Sequence, residues 1–132
     1  GFVYNGVIML SAKLRLRNDA DIAKVLKSKK GAFDAACGVK LRVNELAHSR
    51  FAVVVGTKVS KNAVDRNRVK RQYREIIRLH LAELAPGYDV LFLTAKPALA
   101  LDYHQKQARL IPILRKAGLL HTNIPVPKNP VV

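Results

Sequence analysis

The segment of the chain with the clearest chemistry runs from residue 58 to residue 78 and reads KVSKNAVDRNRVKRQYREIIR. It holds eight of the 24 lysines and arginines in a chain of 132 residues, and Arg66, Asn67 and Arg68 are followed closely by Lys70 and Arg71. Guanidinium groups match phosphate oxygens with paired hydrogen bonds, and an asparagine amide can bridge phosphate, sugar or a metal-bound water. The spacing predicts a surface that binds a polyanion, and the alternative interpretation is an ordinary solvated helix face.

One helix has to carry this charge and also pack on a core. At about 100° per residue, six positions share an arc of roughly 100° and form the predicted buried face. They are Val69, Tyr73, Ile76, Ile77, His80 and Leu84. A cationic stripe of Asn67, Arg71, Arg74 and Arg78 flanks that face, and Arg68 lies farther round. The predicted helix covers about residues 62–84, with Ser60 or Asn62 as its N-cap, where backbone amides favour an anion.

The composition narrows the function classes. A net charge of +15 with 49% hydrophobic residues is typical of an ordered domain that binds phosphate backbones rather than of a metabolic enzyme. The single cysteine, Cys37, excludes an intrachain disulfide and a C-x-x-C metal or redox site, and is interpreted as a small strand residue. No apolar run approaches the roughly 20 residues of a membrane span. No predicted helix carries the wide apolar face that binding to a membrane surface requires.

The remaining elements are predicted from hydrophobic periodicity and from the residues that begin or end helices and strands. A first helix begins at Asp19 or Asp21 and reaches about Ser28, and strands follow at about 36–43, 50–59 and 88–95. The strand at 50–59 is the more continuously apolar of the first two and is predicted to lie centrally in its sheet. Asp102 is predicted to cap a last helix over about 103–117. The order predicts an α/β domain in which the long helix links two strands.

The sequence offers poor candidates for catalysis by the protein. Asp89, Asp102 and His104, or His48 with Glu45, could be imagined as metal ligands or acid and base, but none has a spacing tied to one helix face. Asp102 is better explained as a helix cap and Asp89 as a polar residue at a strand edge. No catalytic residue and no metal site is therefore predicted in the protein.

The motifs VSK, NAV and RNRVKRQYR, in that order, precede a Pro-Gly turn and the run GYDVLFLTAKPA. Over about residues 13–119 this pattern resembles the protein subunit of bacterial ribonuclease P. The resemblance implies an α+β sandwich, with a small, mostly antiparallel four-stranded sheet, a long basic helix in a left-handed βαβ crossover, and N- and C-terminal helices. It divides the chain into an extension over 1–12, one RNA-binding domain over 13–119 and an extended proline-rich tail over 120–132.

The resemblance also implies a function. The chain would be the protein cofactor of a ribonucleoprotein endonuclease that removes the 5′ leader from precursor tRNA in the cytoplasm. Chemistry and Mg²⁺ would belong to the catalytic RNA, the partners would be that RNA and precursor tRNA, and neither DNA nor membrane would be bound. A ribosomal or ribosome-assembly RNA-binding protein is the alternative, and a DNA binder is weaker because the basic helix carries too much core to enter a groove.

Site residues follow from the motif positions. Those implied to face the catalytic RNA are Lys58, Ser60, Lys61, Arg66, Asn67, Arg68, Lys70, Arg71 and Arg74, to which the helix start and the stripe add Asn62 and Arg78. Those implied to line a cleft for the leader are Lys13, Arg15, Ile22, Leu26, Val39, Lys40 and Leu41. Family members usually place aromatic residues on the first helix and the first central strand of this cleft. Here those elements offer Ile22, Leu26 and Lys40 instead, so the predicted leader contact is weaker or more electrostatic than is usual in the family.

Overall fold

A computed structural model of the chain describes residues 2–4, 7–9 and 11–120, with side chains from residue 11 onward. The elements in the described part are β1 (Phe2–Tyr4), β2 (Val7–Met9), α1 (Asp19–Leu26), β3 (Gly31–Phe33), β4 (Cys37–Val43), β5 (Arg50–Val54), α2 (Ala63–Leu79), β6 (Tyr88–Thr94) and α3 (Tyr103–Lys116). Within the predicted N-terminal extension, β1 and β2 pair as an antiparallel hairpin. Residues 121–132 of the predicted proline-rich tail lie outside the described residues.

The main sheet has four strands in the order β3-β4-β6-β5. Its β3–β4 and β4–β6 pairs are antiparallel, and its β5–β6 pair is parallel. Because β5 and β6 run in the same direction, their connection must cross the sheet, and α2 makes that crossover. The predicted four-stranded, mostly antiparallel sheet with a βαβ crossover is confirmed, and the left hand of the crossover stays a prediction from the resemblance.

The strand predicted to be central is an edge strand. β5 ends at Val54 rather than near residue 59, and only β6 pairs with it along its length. Its apolar composition comes instead from coverage of both faces, with Phe51 in the main core and Ala52 against the core under α1. The chain near Leu16 partly closes the open edge, where the Leu16 amide donates to the Phe51 carbonyl at 2.8 Å.

Two layers cover the sheet. On one face, α2 and α3 enclose the main core, in which four residues of the predicted arc, Val69, Tyr73, Ile76 and Ile77, are buried. On the other face, α1 packs over a smaller cluster of Leu16, Val25 and Leu91. Alternate residues of β4 and β6 therefore point to different helices, as the period of two in a strand requires.

Two helix boundaries differ from the prediction, at the end of α2 and at the start of α1. α2 ends at Leu79, because His80 leaves the helical conformation at φ −106° and ψ 12°, and Leu84 reaches the core from beyond the helix. α1 is capped by Asn18, whose side chain accepts from the amides of Ala20 and Asp21, and not by an aspartate. The Asp102 cap of α3 is confirmed as a reciprocal capping box with Gln105.

Asp89 is not a polar residue at a strand edge. It lies on the inner strand β6, is 5% exposed, and holds the Arg50 guanidinium with bonds of 2.8 and 2.6 Å. Asn44 donates to the same carboxylate at 3.0 Å, and Asp21 of α1 reaches Arg50 at 3.3 Å. The hydrogen bonds that Arg50 donates to the Asp89 carboxylate raise the pKa of Arg50. The cluster therefore joins β5 to β6, and a longer contact through Asp21 extends it to α1.

Candidate nucleic-acid interface

The start of α2 is built by short polar contacts. The Asn62 side chain accepts from the Val64 amide at 2.8 Å, and Ser60 Oγ accepts from the Asn62 amide at 3.1 Å. Arg66 Nη1 donates back to the Ser60 carbonyl at 2.8 Å. Asn62 thus serves as the helix cap and Arg66 is partly committed to the preceding turn. Lys58 and Lys61 are exposed on either side of that turn.

The predicted cationic stripe contains residues in different electrostatic states. Asn67 and Arg71 are exposed, whereas Arg74 is half-buried, as is Lys70 beside the stripe. Arg78 is already engaged, since its Nε and Nη2 donate to the Glu75 carboxylate at 3.0 and 2.8 Å. The bond to Glu75 raises the pKa of Arg78. The cations of this stripe that are available to a polyanion are therefore Arg71 and Arg74, and not Arg78.

Arg68 belongs to the opposite flank of α2, which faces α3. Its charge lies near Lys106 of α3, a fully buried lysine whose Nζ donates to the Leu101 carbonyl. Burial, and then the charge of Arg68, lowers the pKa of Lys106 to about 8. No pattern in the sequence marks this pair, because a lysine in an amphipathic helix is ordinarily exposed.

Lys106 is expected to make the stability of the fold depend on pH. The folded chain releases this proton near pH 8, whereas the ordinary value is 10.5, so the unfolded chain binds more protons between these values. The contribution of Lys106 to the free energy of unfolding should therefore rise between about pH 8 and 10.5. Urea unfolding of Lys106→Met should lack this rise. The exposed Lys116→Met on the same helix is the control and should retain it, and equal pH profiles for the two variants would contradict the assignment.

A groove at the free edge of β5 collects three arginines. It has a volume of about 390 Å³ and is lined by Arg15, Arg17, Ile22 and Arg74 together with the β5 backbone from Phe51 to Val54. Burial, and then the charge of Arg15, lowers the pKa of Arg74. Arg15 Nε is buried and lacks a hydrogen-bond partner within the described residues. Two guanidinium groups thus face one space, which suits an oxyanion that bridges them.

Arg17 was missed from the sequence, although its signal is visible there. In the run Arg15, Leu16 and Arg17, the leucine is buried against Val25 and Leu91 while the arginines stand on either side of it. This alternation is that of a strand with one buried face. The edge pairing with β5 confirms that geometry at Arg15 and Phe51, which form a parallel bridge.

The predicted leader cleft is divided by the sheet. Val39 and Leu41 are fully buried in the main core under α2 and α3, so they cannot line a cleft beside α1. Their periodicity in the strand is right, but the apolar face packs against the other layer. Lys13 is exposed in a short 3-10 turn that precedes the segment paired with the edge of β5. Arg15 and Ile22 line the arginine groove.

Leu26 and Lys40 remain together on the α1 side of the sheet. Lys40 Nζ donates to the Leu26 carbonyl at 2.7 Å, at the C-terminal end of α1, where the helix dipole favours a cation. Ser28 Oγ donates to the Leu41 carbonyl at 2.7 Å and fixes the exit of the same helix. Lys40 therefore has a structural role in addition to its charge.

The donor set of this surface does not suit a metal ion held by the protein. No group of three or more His, Cys, Asp or Glu side chains converges within the described residues. The groove and α2 present guanidinium and ammonium groups, which repel Mg²⁺. Burial raises the pKa of Cys37 to about 12, so this residue is a neutral thiol in the core. Among the described helices, none is long and apolar enough to cross a membrane.

Comparison with known proteins agrees with this architecture. The family model described as Ribonuclease P matches residues 10–118, which is most of the chain. The chain belongs to the ribonuclease P protein family. The ribonuclease P protein component of Pseudanabaena sp. is 36% identical over 118 residues, covering 87% of this chain and 100% of that protein. The protein component of Natranaerobius thermophilus is 42% identical over 81 residues, covering 61% of this chain and 70% of that protein.

A solved structure of the ribonuclease P protein of Staphylococcus aureus has the same fold. It superposes with a TM-score of 0.75 at 27% identity and covers 81% of this chain and 97% of that chain. The ribonuclease P resemblance and the α+β fold predicted from the sequence are thereby confirmed. Membership of this family makes the chain a protein component of the endoribonuclease that matures the 5′ end of tRNA, with an RNA partner in the same ribonucleoprotein.

Proposed function

We propose that the chain binds the catalytic RNA of ribonuclease P through α2 from its N-terminus to Arg74, and the leader of precursor tRNA along the α1 side of the sheet, in the cytoplasm. The observation that carries the proposal is the arginine groove, where Arg15 and Arg74 face one space. Neither forms an ion pair within the described residues. Repulsion between the two guanidinium groups is relieved when a phosphate lies between them.

The groove joins the two halves of the proposed surface. Arg74 comes from α2, and Ile22 comes from α1, so both layers of the domain contribute to one site. RNA bound along α2 therefore reaches the edge of the sheet at β5. From there a single-stranded segment can continue across the α1 face of the sheet toward Leu26 and Lys40. Each phosphate neutralised along this path releases condensed counterions, which makes binding favourable and sensitive to salt.

The protein's part in the reaction is then electrostatic. A net charge of +15 lowers the repulsion between the phosphates of the catalytic RNA and those of precursor tRNA. Mg²⁺ would be held by RNA oxygens, where phosphates converge, and would supply the activation of the attacking water. The protein residues bind, orient and screen. Less Mg²⁺ should be needed when the protein is present, because its cations replace part of the ionic screening.

Reconstitution tests the proposal. The purified chain is mixed with a bacterial catalytic RNA at low Mg²⁺, and cleavage of a precursor tRNA is followed over time. We expect the chain to restore cleavage that the RNA alone performs poorly, and to do so less at high Mg²⁺. A chain of similar charge, such as polylysine, is the control for screening alone. Equal stimulation by polylysine, or none by the chain, would refute the proposal.

Lys40→Ala is expected to weaken binding of precursor tRNA more than binding of mature tRNA, because its charge lies beside the proposed leader path. The substitution also removes the bond to the Leu26 carbonyl, so the free energy of unfolding should fall by about 1 kcal/mol. Lys40→Arg, which keeps the charge, is the matched control. Affinities for both tRNAs are measured with the assembled ribonucleoprotein, and equal losses for the two ligands would remove Lys40 from the leader site.

A further inference from the structure

A row of four residues crosses the sheet on the face that carries α1. The strand registers place Phe33 beside Gly38, Gly38 beside Leu93, and Leu93 beside Val54. The neighbouring row, with Leu91 at its centre, is covered by α1, because Leu91 is buried with Val25. The row from Phe33 to Val54 stays open at both ends, since Phe33 is 64% exposed and Val54 is 40% exposed. An apolar strip is therefore available beside α1.

Phe33 is held in this strip by the absence of a side chain at Gly38. A Cβ atom built on Gly38 would overlap Cδ1 of the Phe33 ring and lie 2.6 Å from its Cε1. The ring thus occupies the space that a side chain on β4 would fill. An exposed aromatic ring backed by a strand is positioned in advance, which lowers the entropy lost when a planar group stacks on it.

The charges around the strip suit a nucleotide. Val54, at one end, also lines the groove of Arg15 and Arg74. Three strand spacings of about 4.8 Å separate β5 from β3, so Phe33 lies roughly 14 Å from that groove across the sheet. The acidic residue next to Phe33, Asp34, is neutralised by Arg109 at 2.8 Å. A strand of RNA can therefore place phosphates at the arginines and a base at the ring.

We propose that Phe33 is a stacking platform for one base of a single-stranded 5′ leader. The proposal rests on the function proposed above and names a further binding residue for it. The first helix and the central strand lack aromatic side chains on this face, and the edge strand β3 supplies one over Gly38 instead. Base stacking on an aromatic ring tolerates any base, which suits leaders of varied sequence.

The experiment uses the full chain assembled with the catalytic RNA and measures affinity for precursor tRNA with a leader and for mature tRNA. Phe33→Leu keeps an apolar side chain but removes the aromatic face, and Gly38→Ala keeps the ring but displaces it. We expect each to weaken binding of precursor tRNA about tenfold and to leave mature tRNA binding within twofold. Phe33→Tyr should preserve affinity for both ligands. Leu46→Ala, at an exposed apolar site in the loop between β4 and β5, is the control.

Two outcomes would overturn the proposal. Precursor affinity within twofold of the unsubstituted chain for Phe33→Leu would show that no base stacks there. A change in self-association or in capture of another protein, with leader affinity retained, would assign the strip to a protein contact instead. Failure of the underlying function is distinguishable, because the unsubstituted chain itself would then give no preference for precursor over mature tRNA.

Discussion

Replacing Asp89 with alanine is expected to lower the free energy of unfolding by about 3 kcal/mol. The carboxylate is buried and takes two hydrogen bonds from Arg50 and one from Asn44. Its removal leaves the Arg50 guanidinium without its main counter-charge at a partly buried site, and breaking one partner of such a pair costs about 3–5 kcal/mol. Urea denaturation monitored by circular dichroism measures the change as a lower midpoint at an unchanged slope.

Asp21→Ala is the matched control for this prediction. Asp21 also reaches Arg50, but with one bond at 3.3 Å and a side chain that is 30% exposed. Exposed pairs contribute about 0–1 kcal/mol, so the midpoint should barely move. A double variant, Arg50→Leu with Asp89→Leu, should recover much of the loss, since no buried charge is then left unpaired. If Asp89→Ala and Asp21→Ala destabilised equally, the buried Arg50–Asp89 pair would contribute no more to stability than the longer, partly exposed Arg50–Asp21 contact.

Removal of both groove arginines, Arg15→Ala with Arg74→Ala, is expected to weaken binding to the catalytic RNA by about a hundredfold. A hydrogen bond to a charged group contributes about 1.5 kcal/mol or more, which is about tenfold for each arginine. The slope of log affinity against log salt should also fall by about 0.7–0.9 for each phosphate that the protein no longer neutralises. Filter binding or fluorescence anisotropy over a salt series at fixed Mg²⁺ measures both quantities.

Arg78→Ala removes the same charge from the same helix and serves as the control. Because Arg78 already pairs with Glu75, we expect its loss to change affinity and salt slope far less. The double variant should fold normally, since the repulsion between Arg15 and Arg74 is removed with them. Equal salt slopes for the double variant and Arg78→Ala would show that the groove holds no phosphate.

The parts of the fold that were predictable are those in which neighbours along the chain decide the structure. The buried face of α2 followed from the spacing of Val69, Tyr73, Ile76 and Ile77, and all four are buried. The Asp102 cap of α3 was likewise predictable, because the residue that caps a helix lies next to the amides it satisfies. The order of the VSK, NAV and RNRVKR motifs was specific enough to predict the family.

The errors arose where strands meet other elements. The apolar composition of β5 predicted a central strand. β5 is an edge strand, but other parts of the chain cover both of its faces and part of its free edge, and such a strand has the same apolar composition. Val39 and Leu41 alternate as expected, yet the alternation leaves open which layer each face contacts. Asp89 was misjudged for the same reason, since its partner Arg50 comes from a different strand.

The candidate site divides in the same way. The sequence by itself determined that this chain carries a densely cationic helix with an apolar face, because charge density and helical periodicity are properties of a continuous segment. Only the tertiary structure decided which cations act together. Arg15 and Arg74 are 59 positions apart and share one groove, Arg78 is neutralised by Glu75, and Phe33 stands over Gly38. Electrostatic interactions and stacking depend on distance in space, which strand pairing and layer packing fix.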